Sequence, residues 1–339
     1  MIPSSLRSLA AKFEGQLLTD KTIISLQTYT VDSGSEIYKA ELSSGETLAI
    51  KVYKRDSYNL ALESMNCEVQ AISYLNKMGC AVPEYIAADQ SMISMATSWC
   101  GDHNLRQLIS DNAAGQIEPT ELIRSLMSVE VTYMSTPNMS SVSSQIDTRN
   151  EQLIRSRLRQ RDLSYLPTYL KGAKRLNPTA NTLELEMAIR KVLRTAKMGV
   201  WTYGSMDCNA SNIVVRNGHA TLIDFSMLGP DWIEKRICSY TMSPSIVKNE
   251  QLFFGALNGL SYKMYDEIMS QWIKDYPSKS QLDVHFTLGL LSAASKLPAQ
   301  NPDCPKSIGL QESTLQSIHE LLLSPQSISP ADAIRAAIG

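Results

Sequence analysis

Three short polar side chains stand close together in the sequence between residues 203 and 225. Asp207, Asn212 and Asp224 are separated by five and twelve positions, and the last two bracket a pair of short apolar runs joined through Asn217-Gly218. Asn-Gly between apolar runs is the strongest short-range signal for a β-hairpin. Because a hairpin brings its two ends together, we expect Asn212 and Asp224 to lie side by side, with Asp207 in the loop that leads in.

These side chains carry the oxygen atoms that Mg²⁺ prefers, and Mg²⁺ usually completes its coordination with water and substrate phosphates. Asn212 and Asp224 are therefore candidate metal ligands. A third carboxylate nearby, that of Asp207, could orient or deprotonate an attacking hydroxyl group. Taken singly, Asp207 is better explained as a helix or turn cap and Asp224 as an ordinary loop carboxylate, because Asp and Asn form local hydrogen bonds at caps and turns.

The elements that must position these residues differ between the two ends of the chain. The first hundred residues contain runs rich in β-branched and aromatic residues, separated by Ser, Gly and Asp, and one long helical pattern that ends at Gly79. The predicted elements here are a short helix over residues 4–17, three consecutive antiparallel strands over 22–31, 37–42 and 47–53, a helix over 59–78, an extended stretch from 82 and a strand over 92–99.

Helical periodicity dominates the remainder of the chain, apart from the hairpin and a Ser/Asn/Thr-rich loop over 135–144. Helices are predicted over 119–134, 148–160, 183–199, 247–274, 280–295 and 311–323. A β-rich beginning and a helical remainder indicate a bilobal α+β fold. The expected division is a smaller lobe of residues 1–98 and a larger helical lobe of residues 99–339.

Composition narrows the class of protein. Of 339 residues, 43% are hydrophobic and 19% are charged, which is typical of a folded protein. The net charge of −2 predicts no general attraction to nucleic acid or to an anionic membrane. The six cysteines lack disulfide or zinc spacing, which favours the cytoplasm. The four histidines, none in metal-binding spacing, are expected to be surface or capping residues.

The segment around the hairpin resembles the catalytic and metal-binding loops of the protein-kinase-like superfamily. It is most similar to the aminoglycoside phosphotransferase and choline kinase branch, whose pattern is His-Gly-Asp-x-x-x-x-Asn, a strand pair and then an Asp between hydrophobic residues. In this resemblance Asp207 is the catalytic residue, and Asn212 and Asp224 are the metal ligands. It implies a bilobal kinase-like fold that uses ATP and Mg²⁺.

The beginning of the chain supports the same resemblance. Ala49-Ile50-Lys51 is similar to the third kinase strand, whose Lys reaches the α and β phosphates. Glu68 in the following helix is the expected partner of Lys51, with Glu63 as an alternative. Gly34, between the first two strands, resembles part of the loop that covers the phosphates.

Residues 92–99 resemble the strand that leads into the kinase hinge, where backbone groups bind adenine. Thr97, Ser98 and Trp99 are the candidate hinge residues. The chain departs from the family pattern at Ser205-Met206, which replace His-Gly. That His normally supports the catalytic loop, so its absence bears on the geometry around Asp207.

The resemblance implies an ATP-dependent phosphotransferase that acts on a hydroxyl group of a small-molecule acceptor. Two alternatives remain: a protein serine/threonine kinase, and a pseudokinase that binds nucleotide or a partner without turnover. No Ala-Pro-Glu follows Asp224, which argues against the first. Arginines at 155, 157, 159 and 161 form either a solvated face or a site for an acidic substrate or polyanion.

Overall fold

The computed structural model describes residues 2–31, 34–54, 57–111, 118–134, 151–195, 199–242, 279–296 and 331–338, together with residues 264, 267, 315, 316 and 319. Among these residues, no helix combines the length and apolar character needed to cross a membrane. The predicted loop over 135–144 lies outside the described residues, as do nearly all of the helices predicted over 247–274 and 311–323.

A five-stranded antiparallel sheet occupies the first part of the chain. Its strands are β1 (Ile23–Val31), β2 (Ser35–Leu42), β3 (Thr47–Tyr53), β4 (Tyr85–Asp89) and β5 (Ser94–Ser98). They lie in the order β1-β2-β3-β5-β4, so β3 is central. The three strands predicted at the start of the chain and the later strand over 92–99 are all present, with ends shifted by at most two residues.

Strand β3 divides its side chains between the two faces of the sheet, because successive residues point in opposite directions. Leu48 and Ile50 are buried in an apolar cluster with the N-terminal segment, which covers that face. Lys51 projects from the other face, and its backbone pairs with Ile37 of β2 and Met95 of β5. The central strand therefore holds Lys51 firmly on the face opposite the N-terminal segment.

The N-terminal segment is helical but changes its winding along the chain. A short 3₁₀ turn (Ser4–Leu6) leads into α1 (Arg7–Lys12), and a π-helical turn (Phe13–Leu17) follows. The prediction of one helix over 4–17 is therefore correct in extent but not in regularity. Phe13 is fully buried, and its ring lies 5.7 Å from that of Tyr38 on the sheet.

The long helix α2 (Tyr58–Lys77) packs against the sheet. Its first turn is capped by Ser57, whose hydroxyl accepts from the N–H of Leu60. It ends where Gly79 takes a positive φ of 75°. Its buried face is apolar apart from Glu68, which is 2% exposed. A carboxylate buried in this way needs a charged or hydrogen-bonding partner.

The second part of the chain is mainly helical. Its helices are α3 (Leu105–Ser110), α4 (Pro119–Met134), α5 (Glu151–Ser164), α6 (Leu166–Leu176), α7 (Thr182–Thr195), α8 (Ile233–Met242), α9 (Lys279–Lys296) and α10 (Asp332–Ile338). Helices α6 and α9 pack very closely, since a Cβ atom on Gly172 would lie 1.9 Å from the carbonyl oxygen of Leu291. Helices α6, α8 and α10 were not predicted from the sequence.

Two small strand pairs are set among these helices. The predicted hairpin is present as β7 (Ile213–Arg216) and β8 (His219–Leu222), and its turn residues Asn217 and Gly218 both have positive φ. The other pair, which was not predicted, joins β6 (Trp201–Ser205) to β9 (Leu228–Trp232). Together the pairs frame the segment that carries Asp207, Asn212 and Asp224.

Candidate active site

Lys51 lies between two carboxylates. Its Nζ atom is 2.9 Å from Oε2 of Glu68 and 2.8 Å from Oδ1 of Asp224. Burial opposes the charged form of the lysine, but the two carboxylates outweigh it and raise the pKa of Lys51. The ammonium group therefore stays charged. Glu63, the alternative partner, is exposed on the outer side of α2.

Glu68 is held by three groups from separate parts of the chain. Besides the ion pair, its Oε2 accepts from the hydroxyl of Tyr53 at 2.7 Å, and its Oε1 accepts from the backbone N–H of Phe225 at 3.2 Å. Burial raises the pKa of Glu68, while Lys51 acts in the opposite direction. The bond from Phe225 ties α2 to the residue directly after Asp224.

Asp224 has an unusual backbone conformation. Its φ of 63° lies in the left-handed region, which Asp tolerates better than most residues. Its Oδ1 accepts from the N–H and the hydroxyl of Ser226 at 3.3 and 2.7 Å. Burial disfavours ionisation, but Lys51 and Ser226 outweigh it and lower the pKa of Asp224. Asp224 is therefore an anion at neutral pH.

The hairpin places Asn212 beside Asp224 in the way its geometry predicts. The N–H of Ile223, the residue before Asp224, donates to the carbonyl oxygen of Asn212 at 2.9 Å. The Asn212 Nδ2 donates to the backbone oxygen of Asp207 at 2.9 Å and to its Oδ2 at 3.1 Å. All three residues thus lie at one end of the hairpin.

Two neighbouring side chains hold the loop that carries Asp207. The hydroxyl of Ser205 accepts from the N–H of Asp207 at 3.3 Å, and Asn209 Nδ2 donates to Asp207 Oδ1 at 2.6 Å. Asn209 also caps the following turn, because its Oδ1 accepts from the N–H of Ser211 at 2.8 Å. In this chain Ser205 and Asn209 therefore support the loop without the histidine of the family pattern. Asp207 itself is exposed.

The donor atoms of Asn212 and Asp224 fit a divalent cation. A backbone carbonyl can only accept a hydrogen bond, so the group of Asn212 that contacts Asp207 O must be the amide nitrogen. The amide oxygen Oδ1 therefore points away from that carbonyl. The bonds described for Asp224 all reach Oδ1. Within the described part of the chain, no three His, Cys, Asp or Glu side chains form a metal cluster. Phosphate oxygens would have to supply further ligands.

A cavity of about 230 Å³ lies between the sheet and the hairpin. The sheet contributes Ala49 and Lys51, and the hairpin end contributes Asn212 and Asp224. The candidate hinge residues Thr97, Ser98 and Trp99 also line it. Gly34 is not among the lining residues, although Ser35 beside it is, and the Gly34 carbonyl accepts from the N–H of Lys54.

The backbone N–H groups of two candidate hinge residues already form hydrogen bonds within the protein. The N–H of Ser98 donates to the carbonyl of Glu84, and that of Trp99 donates to the carbonyl of Thr47. An adenine ring bound in this cavity would have to form its hydrogen bonds with other backbone groups. Cys100, which the sequence interpretation did not include, also lines the cavity and directly follows these two residues.

A second cavity, of about 610 Å³, lies on the helical side of the same residues. Asn212 and Asp224 line both cavities, and Asp207 lines the second. Its other walls come from α3, α5, α6, α8 and α9. His285, expected at the surface or as a cap, is instead 4% exposed and lines this cavity. Its position depends on helix packing, which sequence spacing does not reveal.

The arginines of α5 are partly used inside the protein. Arg155 pairs with Glu151 at 2.7 Å and donates to the Gly199 carbonyl at 3.0 Å. Arg161 pairs with Asp231 at 2.5 Å. The arginines at 155, 157, 159 and 161 are not among the described lining residues of the two cavities. Arg155 and Arg161 therefore have structural contacts that a freely solvated face would lack.

Comparison with known proteins identifies the fold. No protein-family model and no curated protein matches the sequence. Among solved structures, macrolide 2′-phosphotransferase MphH from Brachybacterium faecium matches with a TM-score of 0.55 at 13% identity, over 88% of this chain and 100% of that one. A macrolide 2′-phosphotransferase type I matches with a TM-score of 0.50 at 12% identity, over 92% of this chain and 96% of that one.

This likeness confirms the predicted α+β fold, with a small sheet-bearing N-lobe and a larger helical C-lobe. The chain therefore has a bilobal protein-kinase-like fold similar to that of these macrolide phosphotransferases.

Proposed function

We propose that this protein is an ATP-dependent phosphotransferase that moves the γ-phosphoryl group to a hydroxyl group of a small molecule. The observation that carries the proposal is the meeting of two cavities at Asn212 and Asp224, with Lys51 in one and Asp207 in the other. A donor and an acceptor could thus approach one point from opposite sides. The macrolide phosphotransferases that share the fold support the same reaction class.

Each residue has a role that follows from its position. Lys51, held by Glu68, would bind the α and β phosphates of ATP, and Asp207 would orient the acceptor hydroxyl and receive its proton. Asn212 and Asp224 would hold Mg²⁺, which when bound neutralises the charge on the phosphate oxygens. Phosphoryl transfer depends mostly on positioning and charge stabilisation, which this group of residues can supply.

The chain after Asp224 favours a small acceptor over a protein. Only Phe225, Ser226 and Met227 separate Asp224 from strand β9, and helix α8 follows β9 directly. No activation segment of the kind that protein kinases use can fit between them. A short connection of this kind leaves the second cavity lined by helices, which suits a small molecule.

The alternative of a pseudokinase is tested through Asp207. The variant Asp207→Ala should keep nucleotide binding, measured with a fluorescent ATP analogue, because Asp207 does not line the first cavity. Its Mg²⁺-dependent phosphotransfer should fall by about a thousandfold or more. Full activity in this variant would refute the proposed function, and binding without turnover in the unaltered protein would identify a pseudokinase.

A further inference from the structure

The second cavity has one long wall formed by a single helix face. His285, Leu288, Gly289, Ser292 and Lys296 of α9 all line it. Spacings of three, four, seven and eleven residues place these side chains on one side of a helix. At 1.5 Å per residue the wall is roughly 16 Å long. It can therefore contact an acceptor well beyond the hydroxyl that Asp207 would bind.

In the described lining of the second cavity, basic residues outnumber acidic ones once Asp207 and Asp224 are set aside. Arg106, Lys235 and Lys296 are basic, whereas Asp162 is the one acidic residue of this lining besides Asp207 and Asp224. Because Lys235 pairs with Asp162 at 3.0 Å, the excess positive charge of this described lining comes from Arg106 and Lys296.

Asp162 is buried and already engaged by groups of the protein itself. It is 1% exposed, and its Oδ2 accepts from the indole N–H of Trp232 at 2.9 Å. Its Oδ1 accepts from Lys235 Nζ at 3.0 Å and from Arg161 at 3.5 Å. An acceptor with an ammonium group would find no unengaged carboxylate in this described wall, because Asp207 and Asp224 serve the reaction.

The two lysines differ in their surroundings. Lys235 is ion-paired with Asp162 at 3.0 Å and with Asp231 at 3.8 Å, and its Nζ lies 5.7 Å from the ring centre of Tyr165, which also lines the cavity. Lys296 is an exposed residue at the C-terminal end of α9. A cation on an exposed helix end can bind an anion with little loss of solvation.

We propose that the acceptor carries an anionic group, a carboxylate or a phosphate, bound by the cavity wall that carries Arg106 and Lys296. This inference rests on the proposed phosphotransferase function. In the reaction, the acceptor hydroxyl oxygen bonds to the γ-phosphorus and the bond from that phosphorus to the β,γ-bridging oxygen breaks. ADP leaves, and the hydroxyl proton passes to Asp207.

The first experiment separates acceptors by charge. A protein-free bacterial metabolite extract is divided by ion exchange into anionic, neutral and cationic fractions, and each is incubated with the full chain, Mg²⁺ and γ-labelled ATP. We expect new labelled product from the anionic fraction. Product from only the neutral or cationic fraction would overturn this inference and leave the proposed function standing. No product from any fraction would overturn both.

The second experiment locates the anion on the wall. Lys296→Gln should raise the KM of the active fraction about tenfold with little change in kcat, because it removes binding that does not change in the transition state. Lys296→Arg should restore the original KM. Lys77→Gln, at an exposed position at the end of α2, is the matched control. An unchanged KM in Lys296→Gln, with product still from the anionic fraction, would refute the assignment to this wall.

A further test shows whether the wall binds a carboxylate or a phosphate. Glycerate and glycerol 3-phosphate are each compared with glycerol as inhibitors of phosphotransfer to the anionic fraction. Stronger inhibition by the carboxylate or by the phosphate identifies which group the wall binds. Equal inhibition by glycerol and both anions would overturn the proposal of an anionic acceptor.

Discussion

The Lys51 ammonium lies 2.8 Å from Asp224 Oδ1, so a lysine of the central strand of the N-lobe is bonded to the residue that ends the hairpin of the C-lobe. The same ammonium pairs with Glu68 on α2. One charge therefore links the sheet, the long helix and the candidate metal ligand. Because Glu68 is almost fully buried, its negative charge depends on this partner.

Replacing Lys51 by methionine should affect both stability and binding. The variant leaves a buried carboxylate without its counter-charge, which should lower the free energy of unfolding by about 3 kcal/mol at neutral pH. Nucleotide binding should be lost as well. Urea denaturation and titration with a fluorescent ATP analogue measure the two effects.

A matched control is Lys21→Met, which removes a lysine paired with Glu46 at the surface. This variant should leave stability and nucleotide binding nearly unchanged. Equal destabilisation by both substitutions would contradict the linking role of Lys51. The loss in Lys51→Met should also become smaller in acid, because Glu68 can then be protonated.

The support of the loop that carries Asp207 can be tested at Asn209. Its amide nitrogen donates to Asp207 Oδ1 at 2.6 Å, and its amide oxygen caps the next turn. Asn209→Ala should lower kcat by roughly tenfold through misplacement of Asp207. The nucleotide affinity should stay the same, because Asn209 does not line the first cavity.

Asn209→Asp distinguishes the two contacts of this residue. It keeps an oxygen for the cap at Ser211 but replaces the donor to Asp207 with a negative group. We expect kcat to fall at least as far as in Asn209→Ala. Full activity in the aspartate variant would mean that Asn209 acts only as a cap.

The sequence was most informative where local chemistry decides the structure. The hairpin after Asn212 depends on the Asn217-Gly218 turn, and strands β1 to β3 depend on alternating residues between turn signals. Pairings between distant segments were missed, as with β6 and β9, because their short strands lie far apart in sequence. No local pattern indicates which segment such a strand will join.

The same distinction applies to the candidate site. Asp207, Asn212 and Asp224 could be identified by their spacing around one turn. His285 of α9, Tyr165 between α5 and α6, and Lys235 of α8 meet at the second cavity through helix packing, which the sequence does not specify. The support that Ser205 gives to Asp207 was also missed, because a serine in place of histidine carries no recognisable pattern.

A cluster at the edge of the first cavity connects the two lobes. We call Tyr29, Lys39, Trp99 and Asp102 the latch. The Asp102 Oδ1 accepts from Lys39 Nζ at 2.5 Å and from the Trp99 indole N–H at 3.2 Å, and its backbone carbonyl accepts from the Tyr29 hydroxyl at 2.6 Å. The rings of Tyr29 and Trp99 are 4.8 Å apart. The latch thereby fastens β1 and β2 to the segment after β5.

Removing the side-chain contacts of the latch should speed nucleotide release. Asp102→Ala breaks two exposed bonds, so the dissociation rate of a fluorescent ATP analogue should rise about fivefold while overall stability changes little. Stopped-flow measurements give the rate. Glu46→Ala, at the other end of the β2–β3 pair, should not alter it. An unchanged rate in Asp102→Ala would show that the latch does not limit release.

The pH dependence of stability should be governed in part by Glu234 at the start of α8. This side chain is 1% exposed and accepts from the N–H of Val200 at 3.2 and 3.3 Å. Burial raises its pKa from an ordinary value of 4.5 to about 7, against the opposing effect of these backbone bonds. The folded protein therefore holds a proton that the unfolded chain releases.

Because the folded state binds the extra proton, the free energy of unfolding should fall as pH rises from 4.5 to about 7. The full loss, about 3 kcal/mol, should be present above that range. Glu234→Gln is neutral throughout, so its stability relative to the unaltered protein should rise by this amount across the interval. Urea denaturation at a series of pH values measures the difference.

The control is Glu118→Gln, at an exposed carboxylate before α4, which should keep the original slope of unfolding free energy against pH. Parallel pH profiles for Glu234→Gln and the unaltered protein would exclude Glu234 as the titrating group, because removal of that group must change the slope.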